Sequence, residues 1–117
     1  MATVTDNLIT WLPAQLDDDE RVARQLIASP GGFYIEAETE DTDLMAAGAH
    51  VHRWSPARAL AEVEAKRRII DLHPAAGLRS APESCGSCVS YPGPCDTLRL
   101  LALPYADRPG YREEWRP

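Results

Sequence analysis

"SCGSCVSYPGPC", Ser84 to Cys95, holds all three cysteines of a 117-residue chain, and its reading decides what the remaining segments must be tied to. Three thiols cannot all pair as disulfides, and three ligands leave a tetrahedral metal site one short. The spacing is Cys85-x2-Cys88-x6-Cys95. Two residues between cysteines let both sulfurs point at one ion about 2.3 Å away, as in zinc knuckles. Cys95 stands just before an apolar helical pattern, where free backbone N–H groups and the helix dipole favour a thiolate. The missing donor is sought where a rigid element runs into this loop.

Upstream, "PARALAEVEAKRRIIDLH" (Pro56 to His73) is the clearest helix in the chain. Ser55 and Pro56 form an N-cap and first-turn pair. Leu60, Val63, Arg67 and Ile70 define an inner side, and Pro74 stops the helix. From Pro74 to Pro94 there is no periodicity, only Pro, Gly, Ser and Ala between isolated polar residues. A structureless stretch of that length inside a compact domain needs something to hold it. His73 lies where the helix meets it. A His73–Cys85–Cys88–Cys95 zinc site would pin both ends of the loop and leave no open coordination position, which points to a structural ion. His50, His52 and Asp96 are the alternative fourth ligands. On a helix His50 and His52 point in nearly opposite directions, so both cannot reach one ion. An iron–sulfur cluster normally takes four cysteines. Unliganded thiols in a loop are the bland alternative.

Downstream, Asp96 is expected to cap "TLRLLALPYA", apolar almost all round except at Arg99 and so a core helix, which Pro104 kinks or ends. Tyr111 and Trp115 follow, one turn apart. Tyr105, Tyr111 and Trp115 read as packing residues, or as a docking patch should they be exposed. Toward the N-terminus, Ile9, Leu12, Leu16, Ala23 and Ile27 recur at helical spacing from Asp6 to Ala28, with Pro13 predicting a kink or two helices meeting at Leu12. Leu44, Ala47, Val51 and Trp54 form a further stripe interrupted by Gly48. "FYIEAE", Phe33 to Glu38, alternates and is the one strand-like segment. The expectation is a mainly α protein, one domain over residues 1–117, of about four helices with one short extended segment, stapled by a zinc site of three cysteines and one histidine.

Two segments, Pro56 to His73 and "CDTLRLLALPYADRPGYREEWRP" (Cys95 to Pro117), closely resemble an actinobacterial family of small uncharacterised proteins also found in actinophage and prophage genomes. The likeness extends more loosely over the first helix. The resemblance implies a histidine after the long helix and cysteines before the "TLRLLALPYA" segment, which supports His73, Cys85, Cys88 and Cys95 as one unit. This chain departs from the family in having Pro13 inside the first helix and Phe33 where a tryptophan after Gly-Pro is usual. Its middle part is also shorter. The family brings no established activity with it.

The formal net charge of −6 disfavours non-specific binding to phosphate backbones. Lys66, Arg67 and Arg68 make a basic triad, but Glu62 and Glu64 on the same helix offset it. Asp17, Asp18, Asp19 and Glu20 fan through about 300° of a helix and cannot converge on one atom. No Ser/His/Asp order, phosphate loop or H-E-x-x-H motif is present. The longest apolar runs fall far short of the ~20 residues that cross a bilayer, and the acidic N-terminal segment does not read as a signal peptide. These features predict a cytoplasmic, zinc-binding accessory protein that is not an enzyme and acts on a protein partner or by self-association. No membrane contact and no small-molecule substrate are inferred. A nucleic-acid-associated regulator linked to mobile elements is the second reading, and a thiol-based redox or metal sensor the third.

Overall fold

The computed structural model describes residues 4–29, 42–74, 85, 88 and 94–117. The described residues form four α-helices, α1 (Val4–Ile27), α2 (Thr42–Arg53), α3 (Pro56–Asp71) and α4 (Asp96–Ala102), with two single 3-10 turns, Leu103–Tyr105 and Glu113–Trp115. There is no strand among them, and the Phe33–Glu38 segment lies outside the described residues. The protein is thus mainly helical, as its periodicities require.

The chain divides into two compact units, Met1–Leu16 with Ala65–Pro117, and Asp17–Glu64. In the first, the buried side chains among the described residues are Leu8, Leu12, Leu16, Cys85, Pro94, Cys95, Leu98, Ala102, Tyr105 and Trp115. The second is thinner inside: Ala23, Gly48, Pro56 and Val63 are buried, whereas Leu44, Met45 and Trp54 are more than half exposed. The expected apolar stripe of α2 is therefore not its buried side. Gly48, anticipated as a weakness, is the residue that α2 buries.

Pro13 does not divide α1, which runs unbroken from Val4 to Ile27. Loss of one backbone bond and the clash with the Ile9 carbonyl cost ~3 kcal/mol. Leu8, Leu12 and Leu16 bracket the proline and are all but fully buried; three such side chains contribute roughly 4–9 kcal/mol, which outweighs it. Farther along, Arg21 pairs with Asp18 at 2.6 Å and Arg24 with Glu20 at 2.9 Å, both on an exposed side. The acidic run is a solvated face.

At the start of α3, the Ser55 hydroxyl accepts the Arg58 backbone N–H at 3.2 Å, the expected cap before Pro56. Arg58 also lies over the Trp54 ring at 4.4 Å and pairs with Glu62 at 3.1 Å. The helix ends in a tightened turn in which the His73 N–H donates to the Ile70 carbonyl at 3.0 Å. His73 thus sits just beyond the last helical residue, half-buried.

In α4 the sequence expectation needs correcting twice. Cys95, not Asp96, occupies the N-cap position, with extended backbone at φ −68° and ψ 158°. Leu98 and Ala102 are buried, but Leu100 is 56% exposed, so only one side of this short helix belongs to the core. Pro104, lacking an N–H, is accommodated in the 3-10 turn that follows. The remaining chain returns to α1 through turns closed by Trp11, Tyr111 and Trp115. The Trp11 ring centroid lies 5.3 Å from that of Trp115 and 5.7 Å from that of Tyr111, and the Tyr111–Trp115 separation is 5.6 Å. The Trp11 indole N–H donates to the Pro109 carbonyl at 3.0 Å. Gly110, at φ +89°, makes that approach possible, because a β-carbon there would fall 2.7 Å from the indole nitrogen.

Candidate metal centre

His73, Cys85, Cys88 and Cys95 converge so that one donor atom from each lies within 4.8 Å of all the others. The three sulfurs face the same ring atom. His73 Nδ1 is 3.1 Å from Cys88 Sγ, 3.4 Å from Cys85 Sγ and 3.7 Å from Cys95 Sγ. Hydrogen bonding cannot account for this, since an imidazole nitrogen carries either one proton or one lone pair in the ring plane. A central cation can. With metal–sulfur bonds of ~2.3 Å and a metal–nitrogen bond of ~2.05 Å, tetrahedral angles separate nitrogen from sulfur by about 3.6 Å. The three distances bracket that value.

Each donor is placed by a different device. His73 is presented by the closing turn of α3. Cys85 is 3% exposed and accepts the Cys88 backbone N–H on its sulfur at 3.3 Å, so the first cysteine of the pair is oriented by the backbone of the second. Cys95 is fully buried at the N-cap of α4. Cys88 is the exposed member.

The electrostatics ask for a positive charge. Burial pushes the Cys95 thiol up to about 11, and the neighbouring Cys85 and Cys88 add to the rise, while the Leu98 backbone amide opposes it. Buried Cys95 thus resists ionisation on its own, and a bound divalent ion is a species that would reverse the sign of that effect. The donor set, three thiolates and one imidazole, suits a borderline-soft metal.

The alternative fourth ligands lie elsewhere. His50 and His52 are exposed on α2, with the His50 ring 6.2 Å from that of Trp54, and Asp96 is exposed in the first turn of α4. Among the described residues none of the three joins the cluster. Tyr105 and Trp115 are buried and Tyr111 half-buried, so these aromatics serve packing, not an open docking patch. Their partner Trp11 was not legible from the sequence. It stands 98 residues from the carbonyl it binds, and a single tryptophan beside a leucine stripe carries no sign of that pairing.

Fold and site together define a small helical protein carrying a cluster of one histidine and three cysteines in metal-binding geometry. The chain belongs to a family of unknown function, DUF6221, whose model matches residues 5–117. No curated protein and no solved structure matches it. The helices of the described residues include none long and apolar enough to cross a membrane.

Proposed function

We propose that this protein is a cytoplasmic zinc-binding accessory protein, with one structural zinc held by His73, Cys85, Cys88 and Cys95, and that it acts by binding a protein partner or itself rather than by catalysis. One observation carries the zinc assignment: a single ring nitrogen faces three sulfurs at 3.1–3.7 Å, a spacing that a tetrahedral ion explains and hydrogen bonds do not. Four protein donors fill a tetrahedral shell, and a shell without room for water or substrate suits a structural ion. A reducing compartment keeps such thiolates available.

The nucleic-acid reading is less well supported. Of the basic triad, Lys66 is directed inward, its ammonium 3.3 Å from the Tyr105 hydroxyl and 5.4 Å from the ring centroid. That leaves less of the triad for phosphate. Retardation of random duplex DNA at low salt would revive it.

The direct test is metal content of protein purified without added metal, followed by cobalt substitution. About one zinc per chain, and a cobalt spectrum with intense thiolate charge transfer and tetrahedral ligand-field bands, are expected. Absence of stoichiometric metal, or a five- or six-coordinate cobalt spectrum, would overturn the assignment.

A further inference from the structure

We infer that Cys88 is an oxidant-modification site through which hydrogen peroxide releases the metal; this rests on the metal reading above and extends it to regulation. The three sulfurs share a donor set but differ in access. Cys95 is fully buried under the start of α4, and Cys85 is 3% exposed, with its sulfur covered by the Cys88 backbone N–H at 3.3 Å. Cys88 alone of the three is exposed. Zinc has no redox chemistry of its own, so oxidation must begin at a ligand sulfur. A metal-held thiolate that solvent can reach is the nucleophile a peroxide meets first.

The chemistry closes within the cluster. The Cys88 thiolate attacks one peroxide oxygen; the O–O bond breaks, hydroxide leaves, and Cys88 becomes a sulfenic acid. The Cys85 thiolate then attacks the Cys88 sulfur; the S–O bond breaks, a second hydroxide leaves, and a disulfide forms. Two thiolates have lost two electrons, and one peroxide has become two hydroxides, which take up two protons to give water. Cys85 is the partner because the N–H···S contact already holds its sulfur against the backbone of Cys88. The sulfurs lie within 4.8 Å of each other, and bond formation closes that separation to about 2.05 Å. With two of four donors consumed, His73 and Cys95 cannot retain the ion.

The experiment uses the full-length zinc-loaded protein. It is treated with limiting hydrogen peroxide while a chromophoric chelator reports free zinc, and the thiols are then alkylated and mapped by mass spectrometry. One zinc ion should be released per disulfide formed, the disulfide should join Cys85 to Cys88, and Cys95 should remain an alkylatable thiol. Dithiothreitol with added zinc should restore the metal. A parallel sample given substoichiometric N-ethylmaleimide should be labelled first at Cys88. Zinc that stays bound under peroxide, or first modification at Cys85 or Cys95, overturns this inference while leaving the metal site intact. A protein that neither contains nor takes up zinc removes the metal reading itself, and this inference with it.

Discussion

Two parts of the same compact unit bring distant residues together by different means. Around His73, residues 85, 88 and 95 are gathered by donor atoms that share one centre. Around Trp11, residues 103–117 are laid down as tight turns and sealed by Tyr111 and Trp115, with one indole hydrogen bond to Pro109. The first arrangement includes the Cys95 thiol, which burial makes reluctant to ionise, so on the zinc reading proposed above its stability depends on a cation. The second rests on apolar surface, the indole N–H bond and the Arg108 contacts to Gln15 and the Tyr105 ring. On that reading one part would be secured by an ion and the other by buried area, and only the former could be released by a change in the surroundings.

The largest effect should come from removing the ion. Structural zinc contributes on the order of 10 kcal/mol in small zinc peptides, so stripping it with a strong chelator should lower the melting temperature by ~20 °C or more for a chain of this size. Superimposable melting curves with and without chelator would erase the distinction between the two corners. Trp115→Ala should cost about 3–5 kcal/mol in chemical denaturation through the cavity it leaves, yet the folded variant should still carry its metal in full. Metal loss from that variant would show that the corners are one cooperative element.

Gly110→Ala sharpens the aromatic side alone. It combines a left-handed backbone with a β-carbon 2.7 Å from the Trp11 indole nitrogen, and a loss of ~1–3 kcal/mol is expected from the denaturation midpoint. Ser55→Ala, in the other compact unit, should cost about 1 kcal/mol through the lost cap and leave metal affinity untouched; altered affinity would break the separation. Smallest of all, Tyr111→Phe should be neutral or slightly stabilising, because the buried hydroxyl makes no hydrogen bond among the described residues. A clear loss of stability would mean that this hydroxyl has a partner after all.

The convergence of His73, Cys85, Cys88 and Cys95 was legible in the sequence because its signal is local in kind. Cysteines at knuckle spacing need a fourth donor, and a histidine at the mouth of an aperiodic segment offers one. Helix existence was equally legible, since apolar spacing survives any tertiary context. Details that depend on competition between terms were not. Pro13 argued for a break, and three buried leucines overruled it. Asp96 is the better capping residue by propensity, but Cys95 takes that position, its sulfur 3.7 Å from His73 Nδ1. The α2 stripe misled as well: its Leu44 and Trp54 are more than half exposed, and the residue that α2 buries is Gly48. Nothing in the linear order links Trp11 with residues near 110.

The Trp11–Pro109 hydrogen bond also sets a timetable. Its two ends are separated by 98 residues, so it cannot form until the second end has been made. At ~5–20 residues per second, synthesis delivers the second end roughly 5–20 s after the first. Until then α1 lacks the tryptophan and tyrosine that pack against its indole in the folded chain.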